Sequence, residues 1–259
     1  MSSQDRAGDP PLKILTYNVH SCVGTDRRHD PARIAEVISA SGADIIGLQE
    51  LDVGRRRTGS VDQAHAIASA LRMQAHFHPA IHVEEEKYGD AILTALPVRM
   101  IKADGLPSIG EPRGAIWVEV TAGDRTLQVI NTHLGLRRRE RLQQVAALLG
   151  PAWLAHPDCL GKPTILMGDF NSVPSSLAYR TLTLGLRDAG LPGPKPRPTF
   201  PSRYPLLRLD YIFLSGDLAS RGIHLPADPL SRRASDHLPL LATVEFTAES
   251  HGGGTNSGS

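Results

Sequence analysis

Polar residues stand at the edges of short apolar runs throughout this chain, and that placement limits the fold more than any single motif does. The runs lie at Ile14–Tyr17, Asp44–Leu48, Ala91–Leu96, Ile116–Val120, Leu127–Asn131, Thr164–Met167, Tyr211–Leu214 and Leu240–Phe246. Their length and flanking turn residues predict strands. Asn18, Glu50, His133 and Asp169 each follow such a run, whereas Asp210 and the pair Asp236 and His237 each precede one. Where strands run antiparallel, the exit of one and the entrance of the next share a rim. All seven side chains are therefore expected on one edge of a sheet structure.

Helices are predicted between several of the strands. Asp30 reads as an N-cap with Pro31 at the first helical position, Ile34, Val37 and Ile38 form one face, and Gly42 stops the helix. Gln63–Met73 and Arg139–Trp153 carry the same period, the latter through Leu142, Val145, Leu148 and Leu149. The proline-rich segment Leu191–Pro205 lacks too many amide protons for a helix or a central strand and is expected to be a long surface loop beside the site. No internal repeat is present.

With 259 residues, 41% of them hydrophobic, the chain has material for one sizeable α/β domain. That domain is expected over residues 12–247, between a polar leader at 1–11 and a Gly/Ser-rich tail at 248–259, both too poor in apolar residues to fold. A formal net charge of +1 removes any argument for nucleic-acid or membrane binding from bulk charge. Cys22 and Cys159 are far apart and fit neither a disulfide scaffold nor a cysteine zinc site. Without an apolar signal segment or a stretch of roughly 18 uncharged residues, a cytoplasmic location is expected.

The residue types at the rim suit metal-assisted attack of water on phosphorus. Glu50 and Asn18 offer hard oxygen ligands of the kind Mg²⁺ or Mn²⁺ prefers, and Asp236 is a further candidate ligand. In GDFNS, Asp169 is placed to orient or deprotonate a water, and Asn171 to bind the phosphoryl oxygen under attack. Asp210 is placed to orient the His237 ring and stabilise its charged form, leaving the other ring nitrogen for the phosphate. His133 is a second phosphate binder or acid. Among the arginines, Arg113 is the candidate phosphate clamp, while the triplets Arg55–Arg57 and Arg137–Arg139 read as solvated charge. His76, His78 and His82 have metal-like spacing but no accompanying carboxylate pattern.

Taken in order, TYNVH, GLQE, GDAIL, NTHL, GDFNS, LDYIF and SDHLPL resemble the endonuclease/exonuclease/phosphatase superfamily over nearly the whole domain. The resemblance implies an α/β fold: a four-layered αββα sandwich with two facing mixed β-sheets, DNase I-like, with a Mg²⁺-dependent site at one rim. By motif, Asn18 and Glu50 match the family's metal-side pair, Asp169 and Asn171 its water-orienting and phosphate-binding pair, and Asp210, Asp236 and His237 its terminal group. His133 matches a position where some members use tyrosine. HSCVGTD, EPRG and TFPSRYPLLRLDYIF resemble a compact bacterial branch akin to the lipid-remodelling and YbhP-like proteins. Two positions depart from the pattern: His20 stands where many DNA-cleaving members have Asp, and Asp90 where Asn is common.

The expected activity is hydrolysis of a phosphodiester by in-line attack of an activated water, with a nucleic acid or a lipid headgroup as substrate. A phosphomonoesterase and a catalytically silent phosphate-binding scaffold are the alternatives. Aromatics make up only 5% of the chain and none interleaves with an arginine cluster, so no base-stacking platform is visible. No amphipathic surface helix and no protein partner are predicted.

Overall fold

The computed structural model describes residues 10–83, 85–191, 193 and 197–247. The expected leader and tail fall on residues 1–9 and 248–259, outside the described residues except for Pro10 and Pro11, and part of the proline-rich segment lies outside them as well.

Each of the eight apolar runs is a strand. They form β1 (Leu12–Asn18), β2 (Ile45–Val53), β4 (Glu86–Thr94), β6 (Arg113–Ala122), β7 (Arg125–His133), β8 (Thr164–Asp169), β10 (Asp210–Ser215) and β12 (Leu240–Phe246). Four strands were not legible: β3 (Gln74–Val83), β5 (Val98–Leu106), the two-residue β9 (Arg187–Asp188) and β11 (Leu218–His224). All four sit at sheet edges, where one face of the pairing is open and alternation is relaxed. Pro79 is tolerated in β3 because the register shifts beside it.

Two six-stranded mixed sheets result, in the orders β11-β12-β1-β2-β4-β3 and β5-β6-β7-β8-β10-β9. In the first, β1 and β2 are parallel, and in the second, β7 and β8 are. Among the described residues the five α-helices are α1 (Pro31–Ser41), α2 (Gln63–Leu71), α3 (Arg138–Leu149), α4 (Leu177–Leu182) and α5 (Pro229–Ala234). Helix α1 starts on the Asp30 cap and ends at Gly42, which takes φ +63°. Alternation of strand side chains builds three apolar layers. Ile14, Ile45, Ile116, Val129 and Ile212 fill the space between the sheets. Leu15, Ile46 and Leu48 meet Ile34, Ile38 and Ile67 of α1 and α2 on one outer face. Ile130, Leu166 and Phe213 meet Val145, Leu148 and Leu182 of α3 and α4 on the other. The αββα sandwich inferred from the motifs is the observed architecture.

One polar bridge crosses the apolar interior. Gln49 Nε2 donates to Asn131 Oδ1 at 2.7 Å, and Asn131 Nδ2 donates to the carbonyls of Leu48 and Ala91 at 2.9 and 3.0 Å, so β7 of one sheet is tied to β2 and β4 of the other. Both side chains are fully buried. Above them the backbones of β7 and β8 approach so closely that a Cβ at Gly168, whose φ is +148°, would lie 1.9 Å from the Thr132 carbonyl oxygen. Only glycine fits there.

Candidate active site

Strand register places three of the expected residues in one row. His133, at the end of β7, is opposite Asp169 at the end of β8, and Asp169 is opposite Asp210 at the start of β10. All three are buried. His237 approaches from the loop before β12, and its Nδ1 lies 2.9 Å from Asp210 Oδ2 while its Nε2 faces Asp169 Oδ2 at 3.7 Å. Burial disfavours the charged ring, but the carboxylates of Asp210 and Asp169 outweigh burial and push its pKa up to about 10. At neutral pH His237 is therefore an imidazolium whose Nδ1–H donates to Asp210 and whose Nε2–H is turned toward Asp169. His133 is the opposite case: burial, with the cations Arg113 and His237 nearby, holds it well below the usual histidine range and keeps it neutral.

The facing sheet contributes Asn18 and Glu50. A bulge in β2 between Leu48 and Leu51 leaves Glu50 at φ +63°, and that left-handed turn aims its side chain into the rim. Asn18 Nδ2 donates to Glu50 Oε1 at 2.9 Å and to Asp169 Oδ2 at 3.1 Å. Its Oδ1 accepts the His20 amide at 3.0 Å. Expected to offer an oxygen to a metal, Asn18 instead spends that oxygen on backbone and bridges two carboxylates from different sheets. Asn171, also left-handed at φ +46°, closes a turn in which its amide donates to Asp169 Oδ1 at 2.8 Å. Its side-chain amide donates to the Leu134 carbonyl at 2.9 Å and lies 3.1 Å from His133 Nε2. Glu50 and Asn171 thus carry backbone strain, as functional positions often do.

Asp236 faces His20, with Oδ2 2.9 Å from His20 Nδ1. The departure at residue 20 therefore has a partner. That hydrogen bond, with the Asp236 and Glu50 charges, raises the His20 pKa against the opposing effect of burial. His20, Ser21 and Cys22 form a turn with φ of 47°, 50° and 56°, three successive left-handed residues without a glycine. Nothing in HSC announces such a turn, so sequence reasoning flagged His20 without giving it a role.

These groups line a cavity of about 500 Å³. Glu50, Asp169, Asn171, Asp236 and His237 form its floor, and Arg55, Arg57, Tyr88, Glu111 and Arg113 one polar wall. Leu136, Phe200 and Leu209 supply the apolar side, with the Phe200 ring 4.9 Å from that of His237. The proline-rich segment thus reaches the site through Phe200. Arg113 NH1 contacts Glu111 Oε1 at 2.8 Å and His133 Nδ1 at 3.1 Å, while its Nε is buried without a partner. Arg57, read as solvated, is bidentate on the buried Asp52 at 2.7 Å. Tyr88, Glu111 and Phe200 have no role in the sequence reading, although Tyr88 directly precedes GDAIL, Glu111 opens EPRG and Phe200 lies in TFPSRYPLLRLDYIF.

Asp90 lies under the floor, opposite the Glu50 bulge. Burial pushes its carboxyl up to about 7, with Arg113 and the Glu50 amide pulling the other way. The folded protein thus retains a proton that the unfolded chain releases above about pH 4, and stability falls as pH rises from about 4 to about 7. Asp90→Asn, which keeps an acceptor for the Glu50 amide, should exceed the parent in stability by about 1 kcal/mol or more at pH 8, with the gap closing toward pH 4. Denaturant melts at the two pH values, in chelator, measure this. Equal midpoints at pH 8 would mean that Asp90 ionises at no cost.

The donor set suits a hard divalent cation. Glu50, Asp169 and Asp236 offer oxygens only, and Asp169, Asp210 and His237 bring ligand atoms within 4.8 Å of one another. Asp169, like Asp90, is held above the ordinary carboxylate range by burial and by neighbouring acid, a field that a cation relieves. Among the described residues no helix is long and apolar enough to cross a membrane.

A sequence profile described as the Endonuclease/Exonuclease/phosphatase family matches residues 15–237. The uncharacterized protein YbhP of Escherichia coli K12 is 29% identical over 255 residues, covering 91% of this chain and 96% of that protein. An endonuclease/exonuclease/phosphatase from Beutenbergia cavernae superimposes with a TM-score of 0.76 at 22% identity, covering 92% of this chain and 72% of the other. A mannosyl-6-phosphatase from Bacteroides thetaiotaomicron gives 0.72 at 19% identity, covering 91% of this chain and 100% of the other. The structural likenesses establish the fold, and the profile spans nearly all of it. The chain belongs to the endonuclease/exonuclease/phosphatase family, whose members are hydrolases acting on phosphoester bonds.

Proposed function

We propose that the protein is a divalent-metal-dependent phosphodiesterase that cleaves its substrate by in-line attack of water. The observation that carries this reading is the Asp210–His237–Asp169 chain, at 2.9 and 3.7 Å, lying across one cavity from Glu50. Asp169 holds the attacking water and accepts its proton. Charged His237, fixed by Asp210, donates to a non-bridging phosphoryl oxygen as negative charge grows there, and Asn171 supports the same oxygen by turning to it the side-chain N–H that otherwise faces His133 Nε2. Neutral His133 and Arg113 close the phosphate site from the second sheet. Glu50 and Asp236 would hold Mg²⁺ or Mn²⁺, with Asn18 keeping Glu50 and Asp169 together. When bound, the ion supplies Lewis-acid stabilisation of phosphoryl and leaving-group oxygens.

A panel of bis-p-nitrophenyl phosphate, p-nitrophenyl phosphate, single- and double-stranded DNA, RNA and glycerophosphodiesters, each with Mg²⁺, Mn²⁺ or EDTA, tests this. Metal-dependent turnover of diesters is expected. Turnover of monoesters alone would favour the phosphatase reading, and no turnover with any metal would leave a phosphate-binding scaffold. Glu50→Gln should raise the Mg²⁺ concentration for half-maximal activity about tenfold or more, since one charged ligand becomes neutral. An unchanged metal titration would remove Glu50 from the cation site.

A further inference from the structure

A second cluster of cations lies one loop away from the cavity. Arg138 and Arg141 of α3 and Arg180 of α4 converge with Ser175 and Ser176 on a separate cavity of about 160 Å³. No carboxylate lines it, and among the described residues none of the three arginines forms an ion pair. Beside the main cavity, by contrast, Arg57 and Arg55 are answered by Asp52 and Glu86. Arg138 also sits in the first turn of its helix, the end at which the backbone dipole disfavours a cation. Neither pairing nor helix stability accounts for this concentration of positive charge.

The cluster is wired to the catalytic rim. Arg141 donates through NH1 to the carbonyls of Gly135 and Leu136, and Leu136 lines the main cavity. The Nε of Arg141 is buried and has no acceptor, an unmet donor beside a pocket that Ser175, Ser176, Leu177, Ala178 and two further guanidinium groups line. Ser175 and Ser176 end the loop that leaves Asn171. An anion in this pocket is therefore one loop removed from the ester being cleaved.

We propose that Arg138, Arg141 and Arg180 form an anion subsite for a second phosphate of the same substrate molecule, so that the enzyme works on compounds carrying at least two phosphates. A cavity of about 160 Å³ is on the scale of one phosphate group rather than of a whole nucleotide. Three guanidinium groups give it the paired N–H geometry that tetrahedral oxyanions accept. The link to substrate rests on the phosphoesterase reading above, whereas binding of the anion does not.

The test pairs direct binding with kinetics on an Arg138→Ala/Arg180→Ala protein. Both side chains are exposed and lie outside the catalytic cavity, so the fold should survive, and thermal melts verify it. Titration with inorganic phosphate should move the side-chain NMR signals of all three arginines in the parent, and should leave Arg141 unmoved in the variant. On bis-p-nitrophenyl phosphate, which has one phosphate, parent and variant should match. On a short single-stranded oligonucleotide or a small bisphosphate ester, kcat/KM should fall about tenfold or more, and the arm that falls identifies the source of the second phosphate. Arginine signals indifferent to phosphate, or an equal loss on the one-phosphate diester, overturn the proposal. If no ester is turned over by the parent, the NMR arm still decides the anion site by itself.

Discussion

Asp169→Asn should lower kcat on every phosphate ester the enzyme accepts by about 10² or more, with the fold intact. The side chain is the meeting point of the site. Its Oδ1 accepts the Asn171 amide at 2.8 Å, and its Oδ2 faces Asn18 Nδ2 at 3.1 Å, His133 Nε2 at 3.5 Å and His237 Nε2 at 3.7 Å. Asparagine keeps the size and can keep the turn to Asn171, but it cannot take a proton from water and removes a charge that His237 and any bound cation face. General acid–base help is worth about 10² to 10⁴ in rate, which sets the scale. Steady-state kinetics beside a circular-dichroism melt make the measurement. A variant within about threefold of the parent at unchanged melting temperature would take the water-activating role away from Asp169.

The second large effect is on stability. Asp188 and Arg208 are buried and doubly hydrogen-bonded at 2.7 Å, and Asp188 also accepts Tyr179 Oη and the Gly190 amide, both at 2.8 Å. The guanidinium lies 4.4 Å over the Tyr211 ring. Asp188→Ala strands that cation in the interior, and breaking a buried pair from one side costs about 3–5 kcal/mol. Chemical denaturation reads the loss directly. A cost below about 1 kcal/mol would mean that water or another acceptor reaches Arg208. Because Tyr211 Oη shares its one proton between the carbonyls of Arg208 and Ser172, at 2.8 and 2.7 Å, the same pair steadies the entry to β10, where Asp210 stands. Partial loss of activity below the melting temperature should accompany the loss of stability.

How much of this was legible follows from what each feature depends on. Strand ends were readable because burial on both faces gives continuous apolar runs, and the rim residues follow from those ends. The convergence of Asn18, Glu50, His133, Asp169, Asp210, Asp236 and His237 is expected from their positions alone; Glu50, His133, Asp169, Asp236 and His237 line one cavity, and Asn18 and Asp210 hold its groups from behind. Edge strands were hidden by histidine, proline and lysine in β3 and β5, where one-sided pairing tolerates them. Glu50 was read as lying after its strand. It lies inside β2, because the bulge that turns it has no glycine to mark it. In the Arg55–Arg57 triplet, which reads as solvated, Arg56 and Arg57 are exposed, but Arg57 also pairs with Asp52, a buried partner that looks from sequence like one more polar residue in a strand. The His20–Asp236 contact joins residues from opposite ends of the chain through a turn that side-chain preferences disfavour.

The Gln49–Asn131 bridge also explains letters in GLQE and NTHL that no chemistry requires. Glu50 is the next residue after Gln49, and His133 is two after Asn131, so each bridging amide is only a step from a group that faces the cavity. Layers joined solely by oily contacts can slip past each other, because greasy surfaces have no preferred notch. A directional amide-to-amide bolt gives them one, fixing the gauge between the two halves at the spot where an ångström of drift would separate acid from base.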